Sequence, residues 1–147
     1  MRATGTFTVK AFAPTELRPD PAVATGLPVG VATMDKHFGG EGGPGGGDGE
    51  VVGRSATLFT AAFDQTTGVG TYVAMESFEG SLCGRAGSFN FAHSATTSGS
   101  DRTAEFFTIV PTSGTGELTG IHGGGGITVD GEGTHHIWFD YELAETG

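Results

Sequence analysis

Eight segments rich in Val, Ile, Thr, Phe and Tyr stand between glycines, and no segment of ten or more residues carries helical apolar spacing. Glycine supplies 28 of 147 residues without a collagen period, so it marks turns between short strands. Strands are expected at 5–12, 29–38, 50–62, 70–82, 88–97, 104–110, 125–130 and 135–143. With no helix to serve as a crossover, neighbouring strands must pair antiparallel in chain order.

Alternation then assigns an inside. Phe7, Val9 and Ala11 share a face, as do Met34 and Phe38, Phe106 and Val110, Ile127 and Val129, and Ile137, Phe139, Tyr141 and Leu143. The opposite faces carry Thr8, Lys10, Asp35, Glu105, Asp130, Asp140 and Glu142. An apolar face on each strand, with no helix to cover it, calls for a sheet closed on itself or for two packed sheets. The third strand, VVGRSATLFTAAF, shows no clear parity. Phe107, Ile109 and Trp138 fall on outward faces, and an apolar outer patch of that kind predicts a subunit contact, most simply a homodimer.

The 147 residues suit one domain spanning 1–147, with a proline-bearing loop at 13–28 and a glycine-rich loop at 39–49 as insertions. Seven basic residues, scattered singly, stand against 17 acidic ones, which argues against nucleic acid or an anionic membrane surface as partner. Cys83 is alone, so no intrachain disulfide forms, and it reads as a small buried apolar residue. MRATGTFTVKAF starts as an alternating strand and lacks the apolar core of a signal peptide; with no apolar run of membrane-spanning length, a cytoplasmic location is expected.

The longest hairpin, TYVAMESFEGSLCGRAGSFNFAH, places Tyr72, Ala74, Glu76 and Phe78 on one face of its first arm and Phe89, Phe91 and His93 on one face of its second. An otherwise apolar face thus carries one carboxylate and one imidazole. A turn centred on Arg85 to Gly87 pairs residues whose numbers sum to roughly 172, which sets His93 near position 79 and Glu76 about one diagonal step away. Within reach of each other, the two form an acid/base unit, a polar anchor for a substrate carbonyl, or an internal polar link that only satisfies itself. Tyr72 and Tyr141 are the other lumen hydrogen-bond donors. Lys36 shares the parity of Met34 and Phe38, pointing inward towards Glu76 or snorkelling to water from the strand end.

MESFEGSLCGRAGSFNFAHSAT, followed by VPTSGTGELTGIHG and a closing FDYEL, resembles a small bacterial family of uncharacterised domains grouped structurally with the allene oxide cyclase barrels. The likeness runs from GTFTVKAF to the last strand and is most specific across 74–94 and 110–123. It implies a closed eight-stranded antiparallel meander barrel, calycin-like in outline, with a central cavity. Plant allene oxide cyclases close a fatty-acid epoxide into a cyclopentenone, and similar bacterial barrels promote cycloadditions in polyketide pathways. The chain departs from the family's pattern in the 39–49 insertion and in Trp138.

Metal ligation finds little support: His135 and His136 are consecutive and face opposite ways, and His37, His93 and His122 lack ligand spacing. Gly114 to Gly120 misses the dinucleotide fingerprint and is expected to form a turn and a single helical turn across one barrel end. The reading is a cofactor-independent barrel that binds a hydrophobic small molecule and isomerises or cyclises it. Glu76, His93 and Tyr141 would be catalytic, with Phe7, Met34, Tyr72, Ala74, Phe78, Phe89, Phe91 and Phe139 at the substrate. A non-catalytic carrier, or an interaction module whose barrel is filled by those phenylalanines, are the alternatives.

Overall fold

Eight strands form where the alternation places them: β1 (Arg2–Pro14), β2 (Val29–Phe38), β3 (Val51–Asp64), β4 (Val69–Leu82), β5 (Arg85–Ser98), β6 (Asp101–Ile109), β7 (His122–Val129) and β8 (His135–Glu142). This is a computed structural model, which describes residues 1–39, 49–99 and 101–144. Each strand pairs antiparallel with the next, and β8 pairs with β1, so the meander closes into a ring. The glycine-rich loop expected at 39–49 lies, apart from Gly39 and Gly49, outside the described residues. Residues 15–28 hold no strand, and the Asp20–Pro21 peptide bond is cis. No helix among the described residues is long and apolar enough to cross a membrane.

The long hairpin turns at Cys83 and Gly84, not at Arg85 to Gly87. Leu82 pairs with Arg85, and both turn residues have positive φ, 49° and 83°, as a two-residue primed turn requires. Paired numbers therefore sum to 167, as in Ala74 with His93 and Glu76 with Phe91. The odd sum matters, because it sets even positions of β4 and odd positions of β5 on the same face. Cys83, read as buried, is an exposed turn residue.

Two β-bulges correct the inside assigned by simple alternation. Between Val9 and Ala11 the register of β1 on β2 slips, so Phe12 pairs with Met34 and takes the inward face while Ala11 turns out. Between β5 and β6 the pairing moves from Ser94–Phe106 to Thr96–Thr103, with Ala104 at φ 51°. Arg102 and Phe107 then both face inward although their parity differs; Ile109 is buried and Phe106 is 55% exposed. Two of the three residues expected to build an outer subunit patch are thus inside. The third, Trp138, lies over β7, where a Cβ on Gly126 would overlap its indole ring, and Arg2 sits 6.0 Å from that ring. Val129, assigned inward, is exposed at the strand end.

The ring is filled in one half only. Phe38, Phe78, Phe89, Phe91 and Phe139 pack there with Val51, Leu82, Ile109 and Tyr141, each buried phenylalanine contributing about 1.5–3 kcal/mol. The segment after β6 closes that end. Its Thr115 N–H donates to Ser88 O at 2.8 Å, its 3-10 turn (Gly116–Leu118) delivers Leu118 to the core, and Ile121 follows. Gly87 is required under this segment, since a Cβ there would overlap Thr115 O.

Candidate functional site

A polar layer separates the filled half from the open half. Small residues on the inward faces of β3 and β4, namely Ser55, Thr57 and Ala74, leave space into which Lys36, Glu76 and His93 reach from β2, β4 and β5. Glu76 is fully buried. Its Oε2 accepts from Lys36 Nζ at 2.6 Å and from His93 Nε2 at 2.5 Å, and its Oε1 accepts from Ser55 Oγ at 2.5 Å. With Nε2 donating, His93 Nδ1 is free to accept from the Tyr72 hydroxyl at 2.8 Å, and Arg102 Nη2 donates to the same hydroxyl oxygen at 2.7 Å. The result is one chain of hydrogen bonds, Arg102 to Tyr72 to His93 to Glu76, with Lys36 and Ser55 at its buried end. Thr57 Oγ1, in the same layer, is buried with no hydrogen-bond partner among the described residues.

The ring of His93 lies against both Phe91 and Phe107, at 5.8 Å from each, and those two rings stand 5.3 Å from one another, so the three form one aromatic cluster. Phe107, paired with His93, serves the site from inside, and the bulge beyond it lets Arg102 face the same way. Burial pushes the Glu76 carboxyl up, but His93 and Lys36 outweigh it and hold the pKa at about 2. Burial lowers the His93 pKa and Lys36 adds to this, against the pull of Glu76, so the imidazole is neutral at pH 7. Burial also raises the Tyr72 pKa, opposed by Arg102.

Above this layer the open half is a cavity of about 650 Å³. Phe12, Met34, Phe59 and Tyr72 give it apolar walls, with Phe59 stacked on Tyr72 at 5.2 Å; Lys36, His93, Arg102 and His135 give it polar points. The ladder between β6 and β7 is registered at Ile109–Gly123, on the filled side of the cavity-lining Arg102 and Ile127.

Residues 3–141 match the model of a family described as a protein of unknown function, DUF3224. The chain belongs to the DUF3224 family. Among solved structures, a DUF3224 protein of unknown function from Shewanella oneidensis MR-1 is similar at 30% identity with a TM-score of 0.79, over 99% of this chain and 98% of that one. No curated protein matches the sequence.

Within this DUF3224 chain, the structure brings together Glu76, His93 and Tyr72, and sets Tyr141 apart. Tyr141 lies in the filled half, its pKa raised to about 12 by burial and by Cys83. Of the residues placed at a substrate, Phe7, Met34 and Tyr72 line the cavity, whereas Phe78, Phe89, Phe91 and Phe139 belong to the packed core. Ala74 is buried opposite His93 and does not line the cavity. Lys36 does not snorkel: it is buried and ion-paired with Glu76. Sequence reasoning missed Arg102, Ser55, Phe12 and Phe59. For Phe12 and Arg102 the signal is hidden by bulges, and for Ser55 by its being a polar residue on an inward face.

Proposed function

We propose that this chain binds an apolar small molecule in the open half of the ring and moves a proton on it, without a cofactor, in an isomerisation or ring closure. The observation that carries this reading is the Tyr72 hydroxyl at the cavity wall, continued through His93 to the buried carboxylate of Glu76. A proton leaving the ligand passes to Tyr72 Oη while the phenol proton passes to His93 Nδ1. The imidazolium then lies against ionised Glu76, and the reverse transfer returns a proton to a different ligand atom. His93 is neutral at rest, the state a base needs, and Arg102 stabilises charge on the phenol oxygen as the transfer proceeds. A cavity of about 650 Å³ falls in the range for drug-sized ligands and favours a folded pose of a flexible chain. The resemblance to allene oxide cyclase barrels read from the sequence favours the same chemistry, and the eight-stranded ring with a half-open lumen is compatible with it.

A non-catalytic carrier is the second reading. It is favoured by the fact that Tyr72, His93 and Glu76 already satisfy one another, as a purely structural network would. The filled ring of an interaction module describes only one half of this molecule.

Small molecules retained from a lysate by wild type are compared by mass spectrometry with those retained by Ala61→Trp, which plugs the cavity wall. A molecule lost in the plugged variant is then incubated in D₂O with wild type and with Tyr72→Phe. Deuterium uptake in wild type alone supports the relay; retention without uptake in either favours the carrier. Equal retention by wild type and the plugged variant overturns both.

A further inference from the structure

We propose that the ligand is an amphipathic anion whose carboxylate head is held by Arg102, a refinement that rests on reading the open half of the ring as a ligand site. The chain has 17 acidic and 7 basic residues, yet among the described residues lining the cavity Lys36 and Arg102 are charged and none is Asp or Glu. Surface composition alone would line a cavity of this size with more acids than bases. The charged side chains on the cavity wall are thus both cations, each paired with a carboxylate that does not line the cavity.

The two cations differ in what they leave free. Lys36 is spent on Glu76 at 2.6 Å and sits 4.8 Å from the ring of Phe7. Arg102 gives Nε to Glu105 at 2.9 Å and one Nη2 hydrogen to Tyr72, which leaves both hydrogens of Nη1 and the second of Nη2 without a partner among the described residues. Nη1 and Nη2 together make the terminal edge of the guanidinium fork, an edge that binds a carboxylate in bidentate fashion with one hydrogen from each nitrogen. Glu105, the counter-charge of Arg102, has a side chain 48% exposed to solvent, whereas the Arg102 side chain is 18% exposed. Water screens the carboxylate more than the guanidinium, so Glu105 offsets the charge of Arg102 only in part on the cavity side. His135 reports the same field from another wall: burial first, then Lys36 and Arg102, push its pKa down.

An anionic head on Arg102 also places the ligand in register with the relay. Arg102 and the ligand head would both lie next to the Tyr72 oxygen, with the apolar skeleton running along Phe59, Phe12 and Met34. An alcohol of the same skeleton fills the apolar wall equally well but leaves the fork unpaired. The cavity therefore discriminates by head group and tolerates variation in the tail.

The test uses 1-pyrenebutyric acid and 1-pyrenebutanol, which share a skeleton and differ in the head, titrated by fluorescence into the full chain at pH 7.5 and low salt. The acid is expected to bind on the order of tenfold more tightly than the alcohol, as a charge-assisted bidentate pair implies. Arg102→Gln should erase the difference, and Glu105→Gln, at an exposed position that frees Nε, should keep or widen it. Equal binding of acid and alcohol by wild type overturns the anion preference while leaving the apolar cavity in place. A preference that survives Arg102→Gln overturns the assignment of the head to Arg102. Binding of neither probe overturns the ligand-site reading itself.

Discussion

Replacing Glu76 by Gln tests whether the polar layer is held by charge. Glu76 is fully buried and accepts from Lys36, His93 and Ser55 at once. Its pKa of about 2, against an ordinary 4.5, is a difference of about 2.5 units, which at 1.36 kcal/mol per unit makes the ionised form worth about 3 kcal/mol to the fold at pH 7. Removing the charge also leaves the Lys36 ammonium buried without its partner, a change that typically costs about 3–5 kcal/mol. The two routes agree, so Glu76→Gln should destabilise the chain by roughly 3–5 kcal/mol and lower Tm by roughly 10 °C for a domain of this size. Urea unfolding followed by circular dichroism measures it. The double variant Glu76→Gln with Lys36→Met removes the stranded ammonium and should recover at least half of the loss. A single variant within about 1 kcal/mol of wild type, or a double variant no more stable than the single, would refute the reasoning.

Acid should destabilise the chain in two stages, because His93 and Glu76 both have lowered pKa values in the fold and the unfolded chain therefore binds more protons. The His93 contribution is present above its ordinary 6.5 and is lost as pH falls below it, while that of Glu76 is present above 4.5 and is lost towards pH 2. His93→Gln should flatten the urea midpoint between pH 7 and 5, leaving the slope due to His135, whose pKa is also lowered. Cys83→Asn should stabilise the hairpin by about 0.5 kcal/mol, since asparagine adopts positive φ more readily and Cys83 holds φ 49° at an exposed turn. Thermal melts that show a loss would contradict the turn assignment. Gly126→Val should cost about 1–3 kcal/mol by overlap with the Trp138 indole, and Trp138→Ala should relieve much of that cost when combined with it.

Period-two alternation and glycine punctuation made the eight strands legible, since those signals are local: a strand shows its two faces in its own residues. Inward Glu76 and His93 followed from parity alone, whereas for Lys36 parity left burial and snorkelling both open. Where parity failed, a bulge or a polar inward residue was the cause. β1 and β6 each change face partway along, which turns Phe12, Arg102 and Phe107 inward and Ala11 and Phe106 out. In β3 the inward face carries Ser55 and Thr57 while the outward face carries Leu58, so hydrophobicity does not mark the inside there.

The sequence by itself determined an all-β meander, its strand order, and the presence of a carboxylate and an imidazole on inward faces. Tertiary structure decided which phenylalanines fill the ring and which wall a cavity, because that depends on how far each strand is staggered against its neighbours. It decided too that Tyr72, and not Tyr141, meets His93, since a side chain's depth along a tilted strand is set by the closure of the ring and not by its parity. The hydrogen bonds from Arg102 to Glu76 join β2, β3, β4, β5 and β6, and their geometry exists only once all five strands are in register.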